Sequence, residues 1–79
     1  MITDKIKALL ALSGKKNIDL ARHFGMTAQS LSNKMVLNRY TADELIRIAE
    51  FTGCRIGFVL PDGQHIYLDP EDARTDSKS

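Results

Sequence analysis

The sequence has a single cysteine and no long hydrophobic run. Because only Cys54 is available, an intrachain disulfide and a cysteine-rich zinc site are both excluded, and we expect this thiol to be a small buried apolar side chain. No apolar segment is long enough to span a membrane, and residues 1–12 mix charged with apolar residues, unlike a signal peptide. The sequence therefore predicts one small cytoplasmic domain without a metal.

The residue sets that carry enzyme chemistry are also lacking. His23 and His65 lie in different predicted elements, and neither has a recognisable carboxylate pair or nucleophile–base set around it. We therefore expect no catalytic residues and no cofactor.

The net charge is only +1, but it is unevenly distributed. Residues 1–40 carry seven basic and two acidic side chains, a net of +5, whereas residues 41–79 carry four basic and eight acidic ones, a net of −4. Polyanions bind where basic groups are concentrated. The first half of the chain is therefore the part suited to a nucleic acid.

Residues 17–25 have the pattern of a short amphipathic helix. Asn17 suits the N-cap position, because its side chain can accept from the free amides that follow. Leu20, Ala21 and Phe24 recur at helical spacing and form one apolar stripe. Gly25 follows the stripe and predicts a left-handed helix end.

A second helix is predicted immediately after this glycine. Thr27 is its N-cap, and Leu31 and Met35 form its inward stripe. The outward stripe consists of Ala28, Gln29, Ser32, Asn33 and Val36. Ser and Asn are mediocre helix formers, whereas amides and hydroxyls can hydrogen-bond to base edges. The sequence therefore predicts a helix-turn-helix whose second helix contacts bases.

Residues 3–53 resemble the Cro/CI-type (XRE) helix-turn-helix family of phage repressors and small bacterial regulators. The segment LARHFGMTAQSLSNKM stands where that family has its Leu-Ala pair, turn glycine, apolar residue, Ser/Thr cap and Ile/Leu-Ser pair. The resemblance implies a mainly α, four-helix lambda-repressor-like domain in which Thr27 caps the recognition helix. It further implies that Ala28, Gln29 and Asn33 face bases and that Ser30 and Ser32 lie within reach of base edges or phosphate. Our predicted base contacts are Ala28, Gln29, Ser32 and Asn33.

Two basic clusters flank this motif. Lys15 and Lys16 precede the Asn17 cap, where their charges and the helix N-terminus are expected to hold a phosphate, although an ordinary solvated loop is the alternative. A second cluster follows the recognition helix. The full set of predicted phosphate contacts is Lys15, Lys16, Asn17, Thr27, Ser30, Lys34, Asn38, Arg39 and Tyr40.

Two further helices complete the predicted helix-turn-helix domain over residues 1–53. The first is expected to be capped by Thr3 or Asp4, with Ile6, Leu9 and Leu10 on its buried face. The last is expected to open with a capping box formed by Thr41 and Glu44. Its predicted apolar stripe is Leu45, Ile48 and Ala49, with Ile46 at its margin.

Residues 54–69 have the pattern of a β-hairpin around Pro61-Asp62-Gly63. One face, formed by Ile56, Phe58, Leu60, Ile66 and Leu68, is expected to cover the helices. The other face consists of Arg55, Gly57, Val59, His65 and Tyr67, and we predict that it, or a strand edge, forms a homodimer interface. A hairpin that only caps a monomeric core is the alternative. Residues 70–79 are expected to be a flexible tail.

These patterns predict a sequence-specific binder of double-stranded DNA. A two-fold dimer would present two recognition helices to successive major grooves and bind an inverted repeat as a repressor. The alternative is an antitoxin or phage-encoded inhibitor that uses the same scaffold and grips a protein partner with the hairpin or the acidic tail.

Overall fold

A computed structural model describes residues 1–73 of the chain. These residues form the helices α1 (Ile2–Leu12), α2 (Asn17–Phe24), α3 (Ala28–Leu37) and α4 (Ala42–Thr52), the strands β1 (Ile56–Val59) and β2 (His65–Leu68), and a 3-10 turn at Pro70–Ala73. The predicted fold class, four helices followed by a C-terminal β-hairpin, is confirmed. Within residues 1–73, every helix is too short or too polar to cross a membrane.

The first compact unit, Met1–Tyr40, contains α1, α2 and α3. Its buried apolar side chains come from all three helices and lie on the predicted stripes: Ile6, Leu10, Leu20, Ala21, Leu31 and Met35. Leu9 and Phe24 are half-buried. The helical periodicity of the sequence therefore identified the inward face of each helix in this unit.

The turn between α2 and α3 depends on Gly25. This residue has a φ of 71°, a left-handed conformation that L side chains rarely adopt. The Gly25 N–H donates to the Arg22 carbonyl and the Met26 N–H to the Ala21 carbonyl, each at 3.0 Å. Thr27 follows in an extended conformation and caps α3. The chain thus passes from one helix to the next within three residues, as the sequence predicts.

The predicted starts of α1 and α2 were wrong by one to three residues. The N-cap of α2 is Lys16, and Asn17 is the first helical residue. The cause is Asp19, whose Oδ2 accepts from the Lys16 N–H at 2.9 Å and so provides the cap from inside the helix. Likewise α1 begins after Met1, because Asp4 Oδ2 accepts from the terminal ammonium group at 3.3 Å.

The second compact unit begins at Thr41 and contains α4 and the hairpin. The predicted capping box is present, since Thr41 N–H donates to Glu44 Oε1 at 2.8 Å and Glu44 N–H to Thr41 Oγ1 at 3.1 Å. Ile46, Ile48 and Ala49 are buried, while Leu45 is only half-buried, so Ile46 takes the central place expected for Leu45. This second unit starts at Thr41, and within it α4 packs on β1 and the 3-10 turn.

The hairpin has the predicted register. Ile56 pairs with Leu68, Gly57 with Tyr67, Phe58 with Ile66, and Val59 with His65. The turn closes with Leu60 N–H donating to the Gln64 carbonyl at 2.8 Å, and Gly63 has a φ of 92°. Turn chemistry and alternation were therefore enough to fix which residues share a face.

The expectation that one apolar face of the hairpin covers the helices was wrong for its central pair. Phe58 is 64% and Ile66 57% exposed, whereas Ile56 and Leu68 are half-buried. Leu68 lines a small cavity with Ile46 and Ala49 of α4. Only the open end of the hairpin packs on α4, so the pair nearer the turn stays in solvent.

Two smaller expectations also differ from the structure. Cys54 is exposed, not buried, because the chain leaves α4 through the left-handed Gly53 and the thiol falls in the connection to β1. The predicted flexible tail starts with the 3-10 turn at Pro70–Ala73, in which Asp72 Oδ2 accepts from the Asp69 N–H at 2.8 Å. Residues 74–79 of that tail lie outside the described residues.

Candidate nucleic-acid interface

The N-terminus of α3 is organised by two hydroxyl groups. The Ser30 N–H donates to Thr27 Oγ1 at 3.0 Å, and Thr27 Oγ1 donates its own proton to Ser30 Oγ at 2.9 Å. Ser30 Oγ is therefore an acceptor in this pair and retains its proton for an outside partner. Both residues are exposed, as a phosphate contact requires. The structure thus places the predicted cap and its serine neighbour together at the start of α3.

The outward side of α3 is a mainly polar surface, which we call the polar face. It consists of the predicted base contacts Ala28, Gln29, Ser32 and Asn33, all of them exposed. Leu31 and Met35 point to the opposite side and are buried. Packing therefore fixes the rotation of α3 about its own axis and directs the four side chains to solvent.

Gln29 and Asn33 are joined across one turn of the polar face. Gln29 Nε2 donates to Asn33 Oδ1 at 3.0 Å. Gln29 keeps its Oε1 acceptor and one remaining Nε2 proton, which is the donor–acceptor pair that a glutamine uses to bind adenine bidentately. The intrahelical bond restricts the Gln29 rotamer before any ligand arrives and lowers the entropy lost on binding.

The predicted phosphate contacts before α2 are solvent-accessible. Lys15, Lys16 and Asn17 are all exposed. Asp19, however, already places a carboxylate on the Lys16 N–H and lies 3.6 Å from Arg22. A negative charge in the first turn favours the helix but weakens its attraction for a phosphate. The lysine side chains, and not the amides of α2, are thus the groups suited to an anion here.

The predicted phosphate contacts after α3 have unequal surroundings. Arg39 is exposed, Lys34 is half-buried, and Asn38 and Tyr40 are half-buried with hydrogen bonds inside the unit. Asn38 Oδ1 accepts from the Thr3 N–H at 3.0 Å. The Thr3 hydroxyl donates to the Met35 carbonyl at 2.7 Å, so Tyr40 OH acts as the donor to Thr3 Oγ1.

Thr3 was predicted as a candidate cap of α1, but it is a buried structural residue. It is 4% exposed and connects the start of α1 to the end of α3 through Met35, Asn38 and Tyr40. Its spacing to Ile6 and Leu10 puts it on the buried stripe of α1, which is the signal that identifies it. Asn38 and Tyr40 therefore have a role in positioning α3, whether or not they also contact phosphate.

Replacement of Asn38 tests this role. Asn38 has a φ of 56°, so Asn38→Ala loses the acceptor for Thr3 and puts a Cβ-bearing residue without a polar side chain into a left-handed conformation. We expect Asn38→Ala to lower the free energy of unfolding by about 2 kcal/mol, measured by urea titration. Asn38→Gly loses the acceptor but suits the backbone, and should cost about 1 kcal/mol. Wild-type stability in both variants would show that the Thr3 contact contributes nothing.

The comparison with known families agrees with this geometry. Residues 4–64 match the model of the bacteriophage CI repressor helix-turn-helix domain. The chain belongs to this family. No curated protein and no solved structure matches it significantly. The CI repressor match covers α2 to α4, β1, the hairpin turn and most of α1, and it ends before β2. Membership makes the protein a DNA-binding regulatory domain.

The hairpin of this CI-repressor-family protein carries the predicted dimer residues on one accessible face. Arg55, Gly57, Val59, His65 and Tyr67 are all exposed. The Arg55 guanidinium carbon lies 3.7 Å from the Tyr67 ring centroid, and the His65 and Tyr67 rings stack with centroids 5.5 Å apart. Arg55 also forms an ion pair with Asp69 at 2.9 Å.

Gly57 lies opposite Tyr67 in this face. A Cβ at position 57 would collide with the carbonyl oxygen of Ile66, so only glycine fits there. Without a side chain across the strand, the Tyr67 ring is accessible to Arg55 and His65, and the three planar groups form a preorganised surface.

Proposed function

We propose that this domain is a transcriptional repressor that binds double-stranded DNA sequence-specifically as a homodimer on an inverted repeat. The observation that carries the proposal is the polar face of α3. Its Gln29 and Asn33 are exposed, bonded to each other at 3.0 Å and directed outward by the buried Leu31 and Met35. Amide groups held on one side of a helix offer donors and acceptors that can pair with the acceptors and donors of base edges in the major groove.

The charge distribution supports this orientation. The unit that contains α3 spans residues 1–40, which carry a net charge of +5. The first turn of α3 has no acidic residue, whereas α1, α2 and α4 each have at least one. Exposed Lys15, Lys16 and Arg39 supply cations for phosphates. The protein bound to its site would exclude RNA polymerase from an overlapping promoter, which is the simplest mechanism of repression for a small domain.

The decisive experiment is a selection from random duplex DNA with the purified protein, followed by sequencing of the bound pool. We expect an enriched inverted repeat whose half-sites lie about 34 Å apart, one helical turn. Enrichment of a single half-site would support base recognition without the dimer. An unenriched pool at moderate salt would contradict the proposed function.

The proposed dimer uses the hairpin face of Arg55, Gly57, Val59, His65 and Tyr67. Val59 is 67% exposed, and it shares this face with Arg55, Tyr67 and His65, which stack on one another. The ion pair with Asp69 satisfies the Arg55 charge within one copy, so two copies can approach without uncompensated repulsion between arginines.

Charge insertion distinguishes the two hairpin faces. We expect Val59→Lys to convert a dimer to a monomer in analytical ultracentrifugation, because two like charges would meet across the two-fold axis. Phe58→Lys is the matched comparison, since Phe58 is equally exposed on the opposite face. Dissociation by Phe58→Lys alone would move the interface to the Phe58/Ile66 face. A monomeric wild type at micromolar concentration would contradict the dimer.

The exposure of Phe58 and Ile66 favours a protein partner as the second candidate function. Both side chains are more than half exposed, and the other strand residues on that face, Ile56 and Leu68, are also apolar. An exposed apolar patch of this kind is typical of a site that binds another protein. In this alternative the scaffold acts as an antitoxin or inhibitor, and partner binding persists without DNA and in the double variant Gln29→Ala/Asn33→Ala. Loss of partner binding in Phe58→Lys would locate the contact.

A further inference from the structure

We propose that Val36 is a specificity-determining residue that contacts the C5-methyl group of a thymine in the major groove. This inference rests on the proposed DNA-binding function and adds an apolar contact to the polar face of α3. Val36 is 76% exposed, a high value for a branched apolar side chain in the middle of a small domain. Its side chain is therefore not part of the core.

The position of Val36 puts it in line with the amide pair. At 3.6 residues per turn, Val36 lies about 20° around the helix from Gln29 and about 60° from Asn33. Along the axis it lies about 10 Å from Gln29, which is about three base-pair steps of 3.4 Å. A helix that presents Gln29 and Asn33 to base edges therefore presents Val36 to the same groove.

The chemistry of the side chain selects one base. Val36 has no donor or acceptor, so it cannot bind the polar edges of adenine, guanine or cytosine. The only apolar group in the major groove is the thymine methyl. Valine is also a poorer helix former than Ala or Lys because its branched Cβ restricts χ1, so helix stability does not account for it on an exposed surface.

The neighbouring Leu37 lies at the edge of the polar face, whereas Val36 lies between Ser32 and Gln29 near its centre. Leu37 is 60% exposed and lies about 80° around the helix from Gln29, beyond Asn33, whereas Val36 lies only about 20° from Gln29. Leu37→Ala is therefore the control: it truncates another exposed apolar side chain of the same helix, one that lies farther from Gln29.

The test compares thymine with deoxyuridine, which differs only by the methyl group. Each thymine of the selected site is replaced in turn, and the dissociation constants of the wild type, Val36→Ala and Leu37→Ala are measured. At one thymine, we expect deoxyuridine to weaken the wild type and Leu37→Ala by about fourfold, the value of one buried methyl group. Val36→Ala should bind the thymine duplex about fourfold more weakly than the wild type and be insensitive to the replacement.

Each outcome separates this inference from the function on which it rests. An unenriched selection contradicts DNA recognition itself, before Val36 is tested. An enriched site at which no replacement weakens the wild type, or at which Val36→Ala keeps the full sensitivity, overturns the role of Val36 and leaves the proposed function intact. Unchanged circular dichroism of Val36→Ala excludes misfolding as the cause of weaker binding.

Discussion

Replacing Leu31 with alanine should lower the free energy of unfolding by about 3 kcal/mol, the largest stability loss we expect from a single truncation in α3. Leu31 is 1% exposed and is one of the two largest fully buried side chains among the described residues. Truncation removes apolar contact area and leaves a cavity that close-packed neighbours fill only in part. A domain of 79 residues has a small margin of stability, so this loss would leave a measurable fraction unfolded at 25 °C.

Urea titration followed by circular dichroism measures this effect, and Val36→Ala is its control. Both changes truncate a branched apolar residue of α3, but Val36 is 76% exposed and its loss should change the unfolding free energy by less than about 0.5 kcal/mol. An equal midpoint shift for the two variants would mean that α3 does not pack as the structure shows. A changed m-value would indicate a change in the unfolded ensemble instead.

The helix-turn-helix was predictable because its signals are local. Gly25 and Thr27 each act within four residues of the chain, through backbone conformation and a side-chain cap. The buried stripe of α3 follows from helical spacing alone. Such features need no knowledge of the remaining chain, and the structure confirms them.

Helix starts were less predictable because two capping groups competed. Asn17 and Asp19 are both able to satisfy free amides at the start of α2, and the carboxylate of Asp19 prevailed by accepting from Lys16. A charged acceptor forms the stronger hydrogen bond and interacts favourably with the helix dipole. The type of residue at each position did not reveal which group would act.

The burial of the hairpin was predictable only in part. Alternation and the turn gave the pairing of Phe58 with Ile66, because a two-residue period assigns each residue to a face. How much of that face packs on α4 depends on the direction in which the hairpin leaves the helix. Strand patterns do not contain this direction, and Phe58 remained exposed.

The candidate site shows the same division. The polar face of α3 was predicted because its residues are close in sequence and share one helix. The bonds of Thr3 to Asn38 and Tyr40 were not, because they join residues that are 35 and 37 positions apart. Tyr40 is half-buried and Tyr67 is exposed, and the residue type alone does not distinguish them. Only the tertiary structure does.

Loss of the amide pair should greatly reduce discrimination among DNA sequences while leaving most of the nonspecific affinity. We expect Gln29→Ala and Asn33→Ala each to reduce the preference for the selected site by about 1–3 kcal/mol, which is about fivefold to 150-fold. Because Gln29 Nε2 donates to Asn33 Oδ1, the two losses should be non-additive, and the double variant should lose less than their sum. Competition binding with the selected site and a scrambled duplex measures each preference.

Lys15→Ala provides the control. An exposed lysine next to the DNA phosphates should contribute charge to binding without recognising bases. We expect Lys15→Ala to weaken both duplexes by the same factor and to reduce the salt dependence of log K by about 0.9, the value for one phosphate contact. Gln29→Ala should leave that salt dependence unchanged, because its contact is to a base edge. Equal weakening of both duplexes by all three variants would mean that Gln29 and Asn33 contact the backbone, and base recognition would then have to come from other residues of α3.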